Sequence, residues 1–201
     1  MKTKNDDSKQ VDNLIHCIEL TLHDRDDVFF TTSFGYQSEL LFYLLEKLNK
    51  KPKCLFIKSP LIKGDIEKHK SYILEKYCPD FYEVDRNDWI LERLNGESFL
   101  NLDQETRDSI CKSLKRGPLI DFIETYDCGV WVSGIRRDQT DSRSSIKYIE
   151  TTDLGVIKVS PMFSWSNFEV KNIMKLLDLK TNLSYQDLCK FNESRECGLH
   201  L

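Results

Sequence analysis

VFFTTSFGYQSELLFYLLEKL, Val28–Leu48, holds the transition on which the fold turns. Val28–Thr32 is a short run of apolar, aromatic and β-branched residues, the composition of a buried strand. Ser33-Phe34-Gly35 interrupts it, and from Ser38 onward Leu40, Leu41, Leu44, Leu45 and Leu48 recur at the spacing of one helix face. That spacing predicts a helix over Ser38–Lys50. Outward from this strand–turn–helix the same alternation continues. Upstream, Val11, Leu14, Ile15, Ile18 and Leu22 predict a helix over 11–22. Downstream, Lys53–Ile57 (KCLFI) reads as a second strand, Asp65–Tyr77 as an amphipathic helix and Phe81–Val84 as a third strand. Residues 103–126 read as helix with a break at Gly117-Pro118, because proline disfavours helix in the residue before it. Gly129–Ser133 (GVWVS) and Val156–Val159 are further strands, and Asn167–Leu177 a further helix. Strands alternating with helices predict an α/β fold with a mostly parallel sheet. Such sheets bind ligands where loops leave the carboxyl ends of strands, which singles out the Ser33–Gly35 turn and the Gly134–Arg143 loop.

Composition narrows the function. The chain has 201 residues, 40% hydrophobic and 31% charged, the profile of one globular domain. No internal repeat and no Pro/Gly/Ser linker divides it. No apolar run approaches the roughly 18–20 residues of a membrane span. The polar opening MKTKNDDSKQVDN lacks the apolar core of a secretion signal, so the expectation is a cytoplasmic protein away from membranes. A net charge of −4 argues against a broad nucleic-acid-binding face, yet leaves room for a small anion in a local basic pocket. The seven cysteines (Cys17, Cys54, Cys78, Cys111, Cys128, Cys189, Cys197) are odd in number and form no CxxC. In a reducing compartment most should be free thiols.

Four segments carry chemistry. Thr31–Ser38 (TTSFGYQS) ends at a predicted helix N-terminus, whose free N–H groups suit a phosphate, and Gly35 permits close approach. It lacks GxxxxGK[ST] and GxGxxG, and a simple helix cap at Ser33 is the competing reading. Ser133–Arg143 (SGIRRDQTDSR) places Arg136, Arg137 and Arg143 in a loop after a buried strand. Their guanidinium forks match phosphate and sulfate oxygens, with Asp138 and Asp141 available to orient them; a solvated charged loop is the alternative. In Ser194–Leu201 (SRECGLHL), Cys197 stands beside Arg195 and His200, which favour the thiolate, and Glu196, which opposes it; an incidental exposed thiol is the alternative. Cys111, followed by Lys112, Lys115 and Arg116, reads either as a buried helix cysteine or as a redox thiol or cluster ligand.

Taken in order, these segments resemble the sulfonucleotide reductases, the family of PAPS and APS reductases. Ser33-Phe34-Gly35 resembles the family's SFG phosphate-binding loop. Gly134-Ile135-Arg136-Arg137-Asp138-Gln139 with Ser142-Arg143 resembles its GxRRxQxxSR loop. Lys158-Val159-Ser160-Pro161 and Trp165 resemble a KVxP…W segment, and Arg195–His200 resembles the RECGLH tail that carries the catalytic cysteine. The resemblance implies a doubly wound, Rossmann-like adenine nucleotide α-hydrolase fold, with a nucleotide-binding region over 1–183 and a catalytic-cysteine tail over 184–201. It implies that Ser33, Phe34, Gly35, Ser38, Gly134, Arg136, Arg137, Gln139, Arg143 and Lys158 bind an adenosine phosphosulfate, and that Cys197, with His200 and Glu196, is catalytic. The Cys197 thiolate would attack the phosphosulfate sulfur, and thioredoxin or glutaredoxin would release sulfite from the S-sulfonate. Cluster-bearing members use a Cys-Cys pair and a CxxC. Here the pair reads Ile110-Cys111 and no CxxC exists, so no [4Fe–4S] cluster or other metal is expected and PAPS is the favoured substrate. The alternatives are an APS reductase, an ATP-using adenylating or sulfurtransferase relative, and a degenerate nucleotide-binding module. The oligomeric state is open, a homodimer included.

Overall fold

A computed structural model of the chain describes residues 4–48 and 50–190. Its elements are α1 (Lys4–Leu22), β1 (Val28–Thr32), α2 (Ser38–Glu46), β2 (Lys53–Lys58), β3 (Ile62–Lys63), α3 (Ile66–Tyr77), β4 (Asp80–Asp85), α4 (Asn87–Leu94) and α5 (Gln104–Thr125). They continue with β5 (Val130–Val132), β6 (Ile149–Thr151), β7 (Ile157–Val159), α6 (Asn167–Leu176) and β8 (Gln186–Asp187).

Six strands form one sheet in the order β4-β2-β1-β5-β7-β6. Every pairing in it is parallel except β6 with β7, which is antiparallel. The chain winds outward from β1 through β2 to β4, then returns to place β5 on the other side of β1. The sheet is therefore doubly wound, and its strand order reverses between β1 and β5, where ligands of such folds bind.

Alternation along the strands sorts the core into two faces. Val28, Phe30, Cys54, Phe56, Val130 and Val132 point to one face and meet α1, α2, α3 and α6. Phe29, Leu55, Ile57 and Trp131 point to the other and meet Leu119 and Phe122 of α5. The Phe29 and Trp131 rings stack there at 6.1 Å. The first half of α5 leaves the sheet. Its Ile110, Cys111 and Leu114 pack instead with Leu61, Ile90, Phe99 and Cys189 in a third apolar cluster.

The expected break at Gly117-Pro118 does not occur, for Pro118 lies inside an unbroken α5. Proline removes one ladder hydrogen bond and crowds the preceding turn. Burial of Leu114, Pro118, Leu119 and Phe122 on both sides of that point holds the helix axis through it. A second difference concerns the thiols. Cys111 and Cys189 are joined in a disulfide, while Cys17, Cys54, Cys78 and Cys128 are free. Among the described residues no helix is long and apolar enough to cross a membrane.

Candidate functional site

A cavity of about 520 Å³ opens at the carboxyl ends of β1 and β5. Its volume is that of a small-molecule site. The Ser33–Ser38 turn forms one wall and the Ser133–Arg143 loop another. The third is a strap, residues 182–188, which returns to pair β8 antiparallel with β3.

The turn is built by burying its middle residue. Phe34 adopts φ 49°, outside the ordinary range for a bulky side chain. Its ring is fully buried, 5.0 Å from Phe56 and 6.0 Å from both Phe42 and Phe81. Its N–H donates to Thr32 Oγ1 (3.1 Å) and its carbonyl accepts from Asn182 Nδ2 (3.0 Å). With Phe34 anchored inward, Ser33 and Gly35 are left on the cavity wall. The competing reading of Ser33 as a helix cap does not describe this turn: the cap position of α2 is Gln37, without a side-chain cap bond. Ser38 Oγ donates to Gly35 O (2.9 Å) and lies 3.3 Å from His69 Nε2. Burial lowers the His69 pKa, Lys180 lowers it further, and Glu39 opposes both.

Gln37 couples the two walls. Its Nε2 donates to Gly134 O (2.7 Å) and its Oε1 accepts from Arg136 Nε (3.0 Å). Arg136 is 2% exposed, and its remaining donors reach Asp138 Oδ1 (2.7 Å), Trp165 O (2.9 Å) and Asn167 Oδ1 (2.6 Å). Burial lowers its pKa from the ordinary guanidinium value, with Asp138 working against that. Arg136 thus ties β5's loop to α2 and to the start of α6 while still reaching the cavity wall. Gln139 Oε1 accepts from both the Arg136 N–H (3.1 Å) and Arg143 Nη1.

Of the residues expected from sequence, Ser33, Gly35, Ser38, Gly134, Arg136, Gln139 and Arg143 line the cavity. Three do not. Phe34 is in the core. Arg137 turns away, donating to Ile146 O (2.6 Å) and lying 4.6 Å over the Phe163 ring. Lys158, 4% exposed on β7, sits 5.1 Å over the Trp131 ring. Glu196, Cys197 and His200 lie outside the described residues. The structure adds Gln37, Lys115, Lys171, Tyr185 and Asp187 to the wall. Gln37 stands two residues past the SFG turn and was within reach of the sequence; the others come from distant elements and left no local signal.

The wall is cationic. Among the described residues it carries Lys115, Arg136, Arg143 and Lys171 against one carboxylate, Asp187, in a chain of net charge −4. Lys115 and Asp187 form a buried ion pair at 3.0 Å. A cavity of that sign, walled by low-dielectric protein, attracts an anion such as a nucleotide phosphate. The donors present do not suit a four-cysteine iron–sulfur cluster, since the sequence has neither a Cys-Cys pair nor CxxC and Cys111 is bonded to Cys189. Among the described residues no three His, Cys, Asp or Glu side chains converge as metal ligands.

Comparison with known proteins points the same way. Residues 27–190 match the family model described as the phosphoadenosine phosphosulfate reductase domain. The chain is 28% identical over 163 residues to the adenosine 5′-phosphosulfate reductase of Oceanobacillus iheyensis, covering 81% of this chain and 65% of that protein. It is 29% identical over 105 residues to the phosphoadenosine 5′-phosphosulfate reductase of Aliivibrio fischeri, 41% of each. It thus spans less than two thirds of the length of these curated relatives. In fold it resembles the phosphoadenylyl-sulfate reductase of Candida auris, with a TM-score of 0.69, 14% identity and 90% of each chain covered. The NH3-dependent NAD synthetase of Campylobacter jejuni shares the fold at a TM-score of 0.64 and 13% identity, over 87% of this chain and 74% of that one.

Proposed function

The chain belongs to the phosphoadenosine phosphosulfate reductase domain family, and from that premise we propose that it is a sulfonucleotide reductase that takes phosphoadenylyl sulfate as substrate. The observation that carries the reading is the cationic cavity at the β1/β5 reversal, walled by the Ser33–Ser38 turn and the Arg136–Arg143 loop. In this reading the turn receives a phosphate on its backbone N–H groups. Arg143 and Lys171, both on the cavity wall, neutralise the charge that builds on the leaving phosphate. Arg136 positions the loop rather than titrating the substrate.

The nucleophile is Cys197. Its thiolate attacks the sulfur of the phosphosulfate, the S–O bond to phosphate breaks, and the nucleotide departs with the electron pair. The enzyme is left as a Cys197 S-sulfonate. A dithiol protein, thioredoxin or glutaredoxin, attacks the Cys197 sulfur, expels sulfite and resolves the mixed disulfide with its second thiol. Glu196 and His200 flank the nucleophile and tune its protonation. The preference for phosphoadenylyl over adenylyl sulfate follows from the cysteine set, which resembles that of the cluster-free members.

Calorimetric titration of the full chain with phosphoadenylyl sulfate, adenylyl sulfate and ATP, paired with a sulfite assay containing a dithiol, tests this. The reading expects both sulfonucleotides to bind, the phosphorylated one more tightly, with sulfite released. Tighter binding of ATP with release of pyrophosphate would point to an ATP-using relative. Binding without sulfite release from either sulfonucleotide would leave a nucleotide-binding module.

A further inference from the structure

The Cys111–Cys189 pair joins two elements that the cavity shares. Cys111 and Lys115 stand one turn apart on α5, and Asp187 on the strap stands two residues before Cys189, which follows the strap directly. Two cross-links therefore run in parallel between the same elements: the disulfide, with its Cα atoms 5.8 Å apart, and the Lys115–Asp187 ion pair. The Cys189 N–H also donates to Asp187 Oδ1 (3.0 Å), which fixes one link relative to the other.

Besides these links, Asn182 Nδ2 of the strap donates to Phe34 O (3.0 Å), and Tyr185 and Leu188 pack against the apolar clusters. The strap's regular pairing is limited to Ile62–Asp187 and Lys63–Gln186. Leu188 N donates to Leu61 O (2.9 Å) and Asp65 N to Ser184 Oγ (2.9 Å). Yet the strap closes the cavity, for Tyr185 lies against Gly35 and both Tyr185 and Asp187 are on the wall. A covalent link at the end of a short, sparsely paired segment governs how often that segment opens.

We propose that Cys111 and Cys189 are a reversible thiol–disulfide latch whose closure holds the strap over the cavity. In the closing step one thiolate attacks a low-molecular-weight disulfide, expelling one thiol and forming a mixed disulfide. The second cysteine displaces the other thiol and the Sγ–Sγ bond forms. Two electrons and two protons pass to the oxidant. A dithiol reverses the sequence, and the activity proposed above already consumes one. The effect on nucleotide binding rests on that proposed activity; the latch itself does not.

The test compares the full chain equilibrated with glutathione disulfide or with dithiothreitol. In the oxidised protein, tryptic mapping should find Asp108–Lys112 linked to Thr181–Lys190. Hydrogen exchange over residues 182–188 should quicken about tenfold or more on reduction while β1 and α1 stay unchanged. Cys111→Ala and Cys189→Ala should each exchange like reduced wild type under both conditions. Phosphoadenylyl sulfate should dissociate more slowly from the oxidised protein. The absence of the linked peptide, or strap exchange that ignores redox state in wild type, overturns the latch. Strap exchange that responds to redox state in a protein that binds no sulfonucleotide would keep the latch and defeat the proposed function instead.

Discussion

Arg136 and Arg143 stand in one loop and serve it differently. Arg136 is spent on protein partners, with its fork reaching Gln37, Asp138, Trp165 and Asn167. Arg136→Lys cannot satisfy that set, because an ammonium lacks the planar fork. It should cost about 3 kcal/mol of stability, read by denaturant unfolding, through buried acceptors left unpaired. Arg143→Ala should weaken sulfonucleotide binding by about tenfold, or ~1.4 kcal/mol, read by calorimetry. Unchanged sulfonucleotide affinity in Arg143→Ala would contradict its place in the binding wall. The sequence identified the loop, but spacing alone does not say which guanidinium turns inward. Arg137 and Lys158 illustrate the limit, because each lies over an aromatic ring, Phe163 or Trp131, whose position depends on tertiary packing.

A buried carboxylate joins α2 to α3. Glu39, fully buried on α2, accepts from Lys76 Nζ (2.7 Å), Tyr72 Oη (2.9 Å), Tyr77 Oη (3.0 Å) and the Lys180 N–H (2.5 Å). Burial pushes its pKa up, and these hydrogen bonds outweigh that and hold it below the ordinary value. Glu39→Gln should destabilise the protein by about 1–3 kcal/mol, read by denaturant unfolding. His69 gives the pH dependence. Its folded pKa lies below the ordinary 6.5, so the unfolded chain takes up the proton first as pH falls. The neutral ring's contribution is complete above 6.5 and is lost below it as pH descends toward the folded value. The gap in unfolding free energy between wild type and His69→Gln should therefore narrow as pH falls from 7 to 5, by thermal melts. Gly64 tests the strap. It adopts φ 102°, and a Cβ there would meet Ser184 O at 2.2 Å. Gly64→Ala should displace the strap and raise hydrogen exchange over 182–188.

Element by element, the long periodic segments were legible because their pattern is carried by burial, as in β1, α2, β2 and β5. α4 has Ile90 as its buried residue and offers no clear period. β6 is a short strand with little burial, held by its antiparallel pairing to β7. The strap pairs through so few residues that only tertiary contact defines it, and the partner of Cys111 lies 78 residues away.

At the scale of the molecule, the doubly wound sheet brings the carboxyl ends of β1 and β5 side by side, so two loops about a hundred residues apart share one cavity. An acidic chain that gathers four cations around that cavity is arranged for an anionic ligand. In the proposed function that ligand is phosphoadenylyl sulfate and Cys197 is the nucleophile. The most direct measurement is the intact mass of the full, reduced chain after exposure to phosphoadenylyl sulfate, and separately to adenylyl sulfate, with the reductant removed. The expected result is a gain equal to one SO3 group, absent from Cys197→Ser and removed by a dithiol. An unmodified mass with both nucleotides, from folded protein that binds them, would contradict it.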